Sequence, residues 1–234
     1  TKVIGGEICY RWDKWETLLD VFQARASMHR HVYTHKEVKA AEYMVTDAMV
    51  EANSELEIAP RIADPERFLT LDDTIIAAIR SSQSDGPGLR RAKELLRRLD
   101  CNDRYVMAHE RVGIPLKNFE KPTPEDISTL ADSGQGLRPE HIIIHDRKID
   151  MGMREKFPLE HVGFYLDEKD SLHEGFRITQ DDLHEMVPKK CMDRTIRVFV
   201  KERRFQEDVK AAFDRWVSQR LSSAEGNKRP RLHD

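Results

Sequence analysis

The stretch "MHRHVYTHK", Met28–Lys36, lies inside a run from Trp12 to about Asn53 that contains neither proline nor glycine. Around it the apolar residues Trp15, Leu18, Leu19, Phe22, Val32, Tyr43, Met44, Val45 and Met49 recur at helical spacing, which predicts one long helix or a broken helical pair. The nine residues hold three histidines, a tyrosine and two further basic side chains. They can be read as a metal site, a phosphate-binding face or an ordinary polar helix surface.

Working outward, a helix is expected over Leu71–Arg80, followed by a loop at "SSQSDGPG" and a basic amphipathic helix at "LRRAKELLRRL". The first hundred residues thus read as all helical. After Cys101 the pattern changes to short β-branched and aromatic runs, "HIIIHD", "VGFYLD", "FRIT" and "TIRVFVK", which predict strands. Helices are expected at "TPEDISTLA" with Thr123 as cap, at "TQDDLHEMV" with Thr179 as cap, and from about Phe205 to Leu221. The expected architecture is a mainly helical part over residues 1–100, a small α+β lobe with an antiparallel or mixed sheet over 101–221, and a mobile basic tail over 222–234. No internal repeat is visible.

Composition narrows the function classes. The 39 Lys+Arg nearly cancel the 42 Asp+Glu, so no global basic field points to nucleic acid, which stays a weak candidate, or to an acidic membrane surface. No apolar run reaches the roughly 20 residues that span a bilayer. Cys9, Cys101 and Cys191 are odd in number and widely separated, which matches a reducing compartment better than a disulfide framework. The cluster "KRPR", Lys228–Arg231, fits nuclear import as well as it fits a solubilising tail, so the nucleus or cytoplasm is expected. The chain begins without Met and reads as a fragment or a processed product.

On an ideal helix Arg25, His29, Tyr33 and Lys36 share one face, while His31 and His35 form a pair on another. Zinc needs three protein ligands at a catalytic site and four at a structural one, and no neighbouring Cys or acidic motif completes either set. A guanidinium fork, an imidazole and a phenol along one face suit instead a nucleotide's phosphates and sugar. A solvated helix face remains the plainer alternative.

"DVFQARASMHRHVYTHKEVKAAEYMVTDAM" resembles the helix that follows the metal centre in the SAM- and HD-domain deoxynucleoside triphosphate triphosphohydrolases. The resemblance continues in order through "FLTLDDTIIAAI", "RAKELLRRLD", "IDMGMREKFPLEHVGFYL", "RIT" and "VPKKCMDRTIRVFVK", covering roughly residues 7–220. It implies an enzyme that splits a dNTP into deoxynucleoside and triphosphate, with Arg25 on the substrate phosphates and His29 and Tyr33 also on the substrate. It implies that Arg11, Lys14, His35 and Lys36 reach an activating GTP or dNTP in a homo-oligomer, a dimer or tetramer. It also implies a Zn, Fe, Mn or Mg ion held by histidines and aspartates upstream of Thr1. No catalytic residue and no metal ligand is expected within the chain, which alone should be inactive.

The internal "HD" pair, His145–Asp146, and the one in "LHD" at Leu232–Asp234, which ends the chain, lack partners at ligand spacing and read as decoys. Thr17 stands where the family has asparagine, Asn102 where it has arginine, with Arg104 nearby, and Asp167 where it has lysine. The losses of positive charge at Asn102 and Asp167 weaken attraction for a regulatory triphosphate. The rival reading is a non-catalytic interaction or nucleic-acid-binding module on the same scaffold.

Overall fold

The computed structural model describes residues 1–132, 136–166, 175–183 and 187–226, with side chains to residue 220. The chain opens with a hairpin, β1 (Lys2–Ile4) and β2 (Glu7–Arg11), rather than with helix. Ile4 and Glu7 pair across Gly5 and Gly6, whose φ values of 60° and 83° make the two-residue turn that glycine alone adopts without strain. This corrects the expectation of an all-helical first part. The "GG" between two short apolar runs was the available signal.

The proline-free run is a broken pair of helices. Helix α1 (Trp15–Met28) continues into a π-turn over His29–Tyr33, and α2 (Lys36–Leu56) starts afresh. The widened turn is closed by the Thr34 amide donating to the His29 carbonyl, five residues back, at 3.0 Å. The Thr34 hydroxyl donates to the same oxygen at 2.6 Å. A β-branched hydroxyl residue bonding to its own helix is a known competitor of helix continuation.

Two short helices follow that periodicity did not show, α3 (Ile58–Ile62) and α4 (Pro65–Phe68), the second capped by Asp64 and opened by its proline. Then come α5 (Ile75–Ser81) and α6 (Pro87–Asp100). Strand β3 (Val106–Val112) was also missed. Helix α7 (Pro124–Leu130) is held by a reciprocal cap, the Asp126 amide donating to Thr123 Oγ1 and the Thr123 amide to Asp126 Oδ2. Next are β4 (Ile142–Asp150), β5 (Gly163–Tyr165), β6 (Met192–Val200) and α8 (Gln206–Gly226).

Three expectations are corrected here. "FRIT" contributes a single bridge, Phe164 to Phe176, and no strand. "TQDDLHEMV" is a 3-10 turn over Gln180–Asp182, with Thr179 as its cap, and Leu183 is already extended; residues 184–186 lie outside the described part. Helix α8 runs on to Gly226, into the stretch read as tail, while Lys228–Arg231 and Leu232–Asp234 lie outside the described residues.

The strands form two sheets, ordered β1-β2-β5 and β3-β6-β4. The first is mixed, with β1 antiparallel and β5 parallel to β2. By contacts the chain divides into two compact units, each assembled from separated segments rather than split near residue 100. The first comprises residues 1–35, 111–121 and 146–196; the second comprises 36–110, 122–145 and 197–234. Pairing of distant strands overrides chain order.

The first unit's core gathers Leu19 and Ala26 of α1 with Ile149, Met151, Phe157, Leu159 and Phe164. The second unit packs α6 on α2 through small residues. Ala48, Ala52 and Ala92 are fully buried with Leu89 and Leu96, and a Cβ on Gly88 would stand 2.2 Å from the Glu51 carbonyl oxygen. The "LRRAKELLRRL" helix is therefore an amphipathic packing element. Its outer charges are answered by acids, Arg91 by Glu51, Arg97 by Glu94 and Arg98 by Asp103. Among the described residues no helix is long and apolar enough to cross a membrane.

Candidate functional site

Arg25 sits in the last turn of α1, and His29 and Tyr33 bound the π-turn after it. The rings of His29 and Tyr33 meet edge to face, 5.1 Å between centroids, and Tyr33 is 55% exposed. The Arg25 guanidinium is anchored from below: Nη1 donates to the Asp150 carbonyl at 2.9 Å and approaches Asp150 Oδ1 at 3.4 Å. His31 turns away from this face, its Nδ1 lying 3.1 Å from the Ser27 carbonyl. Arg30 pairs with Asp193 at 2.7 Å.

Lys36 is not on the same helix as Arg25. It opens α2, in the second unit, beyond the π-turn and Thr34, so the single-helix face ends at Tyr33. His35 precedes it, its amide donating to the Val32 carbonyl at 3.2 Å.

Arg11 and Lys14 converge on one acid that the sequence reading passed over. Asp13 accepts two 2.6 Å bonds from Arg11 and lies 3.2 Å from the Lys14 ammonium. The Arg11 bonds, opposed by desolvation and helped by Lys14, pull the Asp13 carboxyl down to about 2. Asn102 takes a left-handed conformation, φ 60°, just after α6, and Arg104 pairs with Glu37 at 3.6 Å. Asp167 lies outside the described residues.

The His145–Asp146 pair lies in β4. Asp146 is gripped by Arg194 through Nε to Oδ1 at 2.9 Å and Nη2 to Oδ2 at 2.8 Å. Among the described residues no three His, Cys, Asp or Glu side chains converge to hold a metal. The donor set present does not fit the metal that the resemblance implies.

A groove of about 720 Å³ in the second unit is lined by Asp47, Glu51, Arg91, Arg98, Tyr105 and Lys201, among others. Several of its polar groups pair with one another. The Tyr105 hydroxyl donates to Asp47 at 2.7 Å, Lys201 reaches the same carboxylate at 2.6 Å, and Arg91 bonds Glu51 at 2.5 Å. Burial, then the Asp47 bond, raises the Tyr105 phenol far above its ordinary range.

Compared with known proteins, the chain matches, at 27% identity over 91% of its length, the deoxynucleoside triphosphate triphosphohydrolase SAMHD1 homolog of Dictyostelium discoideum. The chain is similar to a segment of SAMHD1. It matches the SAMHD1 of Homo sapiens at 28% over 91% of its length and that of Mus musculus at 28% over 84%. It spans only 40%, 36% and 32% of these three relatives. No protein-family model matches it. The similarity agrees with the resemblance carried by the Arg25–Lys36 and Ile149–Leu166 motifs. The contacts that organise the face, Asp150 under Arg25 and Asp13 between Arg11 and Lys14, were not read from sequence. For Asp13 the signal was adjacency to two basic residues; for Asp150 there was none beyond its place in "IDMGM".

Proposed function

We propose that this chain supplies the substrate-facing and regulatory part of a metal-dependent dNTP triphosphohydrolase, which converts a dNTP into deoxynucleoside and triphosphate. One observation carries the reading: Arg25, His29 and Tyr33 follow one another along the end of α1 and its π-turn, in a chain similar to SAMHD1 over nine-tenths of its length. In this reading Arg25 neutralises charge on the phosphate chain, His29 contacts the substrate beside it, and the Tyr33 hydroxyl meets the sugar. Arg11, Lys14, His35 and Lys36 would meet an activating GTP or dNTP at a contact between copies of the protein. Metal chemistry is assigned to a segment that this chain does not contain, and the chain alone is expected to be inactive.

The test uses the polypeptide that carries this chain together with a metal-binding segment, following release of deoxynucleoside and triphosphate. Arg25→Ala should lower kcat/KM on the order of 100-fold, the scale for removing a transition-state charge partner. Tyr33→Phe should lower it about tenfold through one lost hydrogen bond. Unchanged values in both variants would leave the chain as a non-catalytic module on the family scaffold.

A further inference from the structure

We infer that Asp150 is the positioning residue for Arg25, so that the end of β4 determines where the guanidinium stands; this rests on the reading of Arg25 as a phosphate contact. An exposed arginine at a helix end samples many rotamers, and a fixed fork requires something to hold it. The holding group is the Asp150 carbonyl, 2.9 Å from Nη1. That carbonyl is itself fixed, because Asp150 Oδ1 accepts the Gly152 amide at 2.5 Å and closes the turn after the strand.

Gly152 completes the seat. Its φ of 102° belongs to glycine, and the stem of Arg25 lies over it, a Cβ there falling 3.8 Å from Arg25 Cδ and 3.9 Å from Nε. On either side of Asp150, Ile149 and Met151 are buried in the same cluster as Leu19 and Ala26 of α1, so helix and turn cannot shift independently. The same strand supports the other end of the face. Buried Arg147 donates to Thr34 Oγ1 at 3.4 Å, and Thr34 Oγ1 bonds the His29 carbonyl that closes the π-turn. With Nη1 engaged, Nε and Nη2 form the side-on fork that takes two oxygens of one phosphate.

The Asp150 carboxylate at 3.4 Å also subtracts charge from Arg25, so position and charge must be tested apart. Asp150→Asn keeps an acceptor for the Gly152 amide and removes the charge; Asp150→Ala removes both. The 234-residue chain is titrated with inorganic tripolyphosphate by calorimetry at low salt. Rotation about the Arg25 Nε–Cζ bond is followed in parallel by NMR. Arg25→Ala should abolish binding and Asp150→Ala should weaken it about tenfold, the scale of a lost preorganised contact. Asp150→Asn should bind within about threefold of the parent, or more tightly.

In the NMR arm the two Arg25 Nη groups should be distinct in the parent and in Asp150→Asn, and averaged in Asp150→Ala. Gly152→Ala strains the turn without touching Arg25's donors and should average them too, which serves if Asp150→Ala does not fold. Unchanged Arg25 signals in Asp150→Ala, or in Gly152→Ala where Asp150→Ala does not fold, overturn the positioning role, as does Asp150→Asn binding as weakly as Asp150→Ala. A parent that binds tripolyphosphate no better than Arg25→Ala overturns the phosphate reading alone, because the NMR arm reads the position of Arg25 without ligand.

Discussion

Arg194 on β6 holds Asp146 on β4 through two near-parallel bonds of 2.9 and 2.8 Å, and its third nitrogen donates to the carbonyls of Pro115 and Phe119 at 2.9 and 2.7 Å. The side chains are 6% and 19% exposed. One guanidinium thus ties together two strands and the loop after β3. Removing its anionic partner leaves a buried cation bonded only to backbone dipoles. Asp146→Ala should therefore cost about 3 kcal/mol, the scale of a broken buried pair, read as a lower denaturation midpoint at unchanged m-value.

The same pair sets an acid limit. Burial raises the Asp146 carboxyl, but the Arg194 bonds and charge outweigh it, and the folded value lies below the ordinary carboxylate range. A depressed folded pKa contributes stability that is complete above the unfolded value, about 3.9, and is lost as pH falls through the folded one. Denaturation midpoints measured from pH 6 to pH 2 should fall below about pH 4, and less steeply in Asp146→Asn. Equal slopes in the two proteins would remove Asp146 from the account.

The contact of α2 with α6 depends on a missing side chain. A Cβ on Gly88 would meet the Glu51 carbonyl oxygen at 2.2 Å, and a backbone atom cannot swing aside. Gly88→Ala should destabilise by about 1–3 kcal/mol, the usual cost of overpacking, even though alanine is the better helix former. A thermal midpoint equal to or above the parent's would show that the two helices can separate without loss.

Asp13 occupies the charges of Arg11 and Lys14. If these reach an activating nucleotide, Asp13→Asn should strengthen nucleotide-dependent assembly of the longer polypeptide, by about threefold for exposed and screened charges. Sedimentation with and without GTP and dNTPs measures it. Assembly that weakens in Asp13→Asn would show that Asp13 orders these two side chains for the nucleotide instead.

For metal, elemental analysis of the purified chain should find no stoichiometric transition ion, since no three ligating side chains converge among the described residues. One tightly held ion per chain, lost on His31→Ala, would reverse this.

What the sequence determined by itself was local. Helical spacing located the run that holds α1 and α2, and α6; Thr123 marked the start of α7; and Arg25, His29 and Tyr33 were expected on one face because residues four apart are neighbours on a helix. Motif order also carried the family resemblance, since it needs no geometry. Tertiary structure decided everything that joins distant residues. Whether the proline-free run broke was left open, and the break came at Thr34, whose hydroxyl has a better partner in the His29 carbonyl than in a continued helix. "FRIT" had strand character but found one bridge, and β3 had little but found a neighbour in β6, because a strand is stabilised by what lies beside it. Asp150 beneath Arg25 is 125 residues away in sequence; no period or propensity encodes that distance, and only the packing of Ile149 and Met151 against α1 brings the two together.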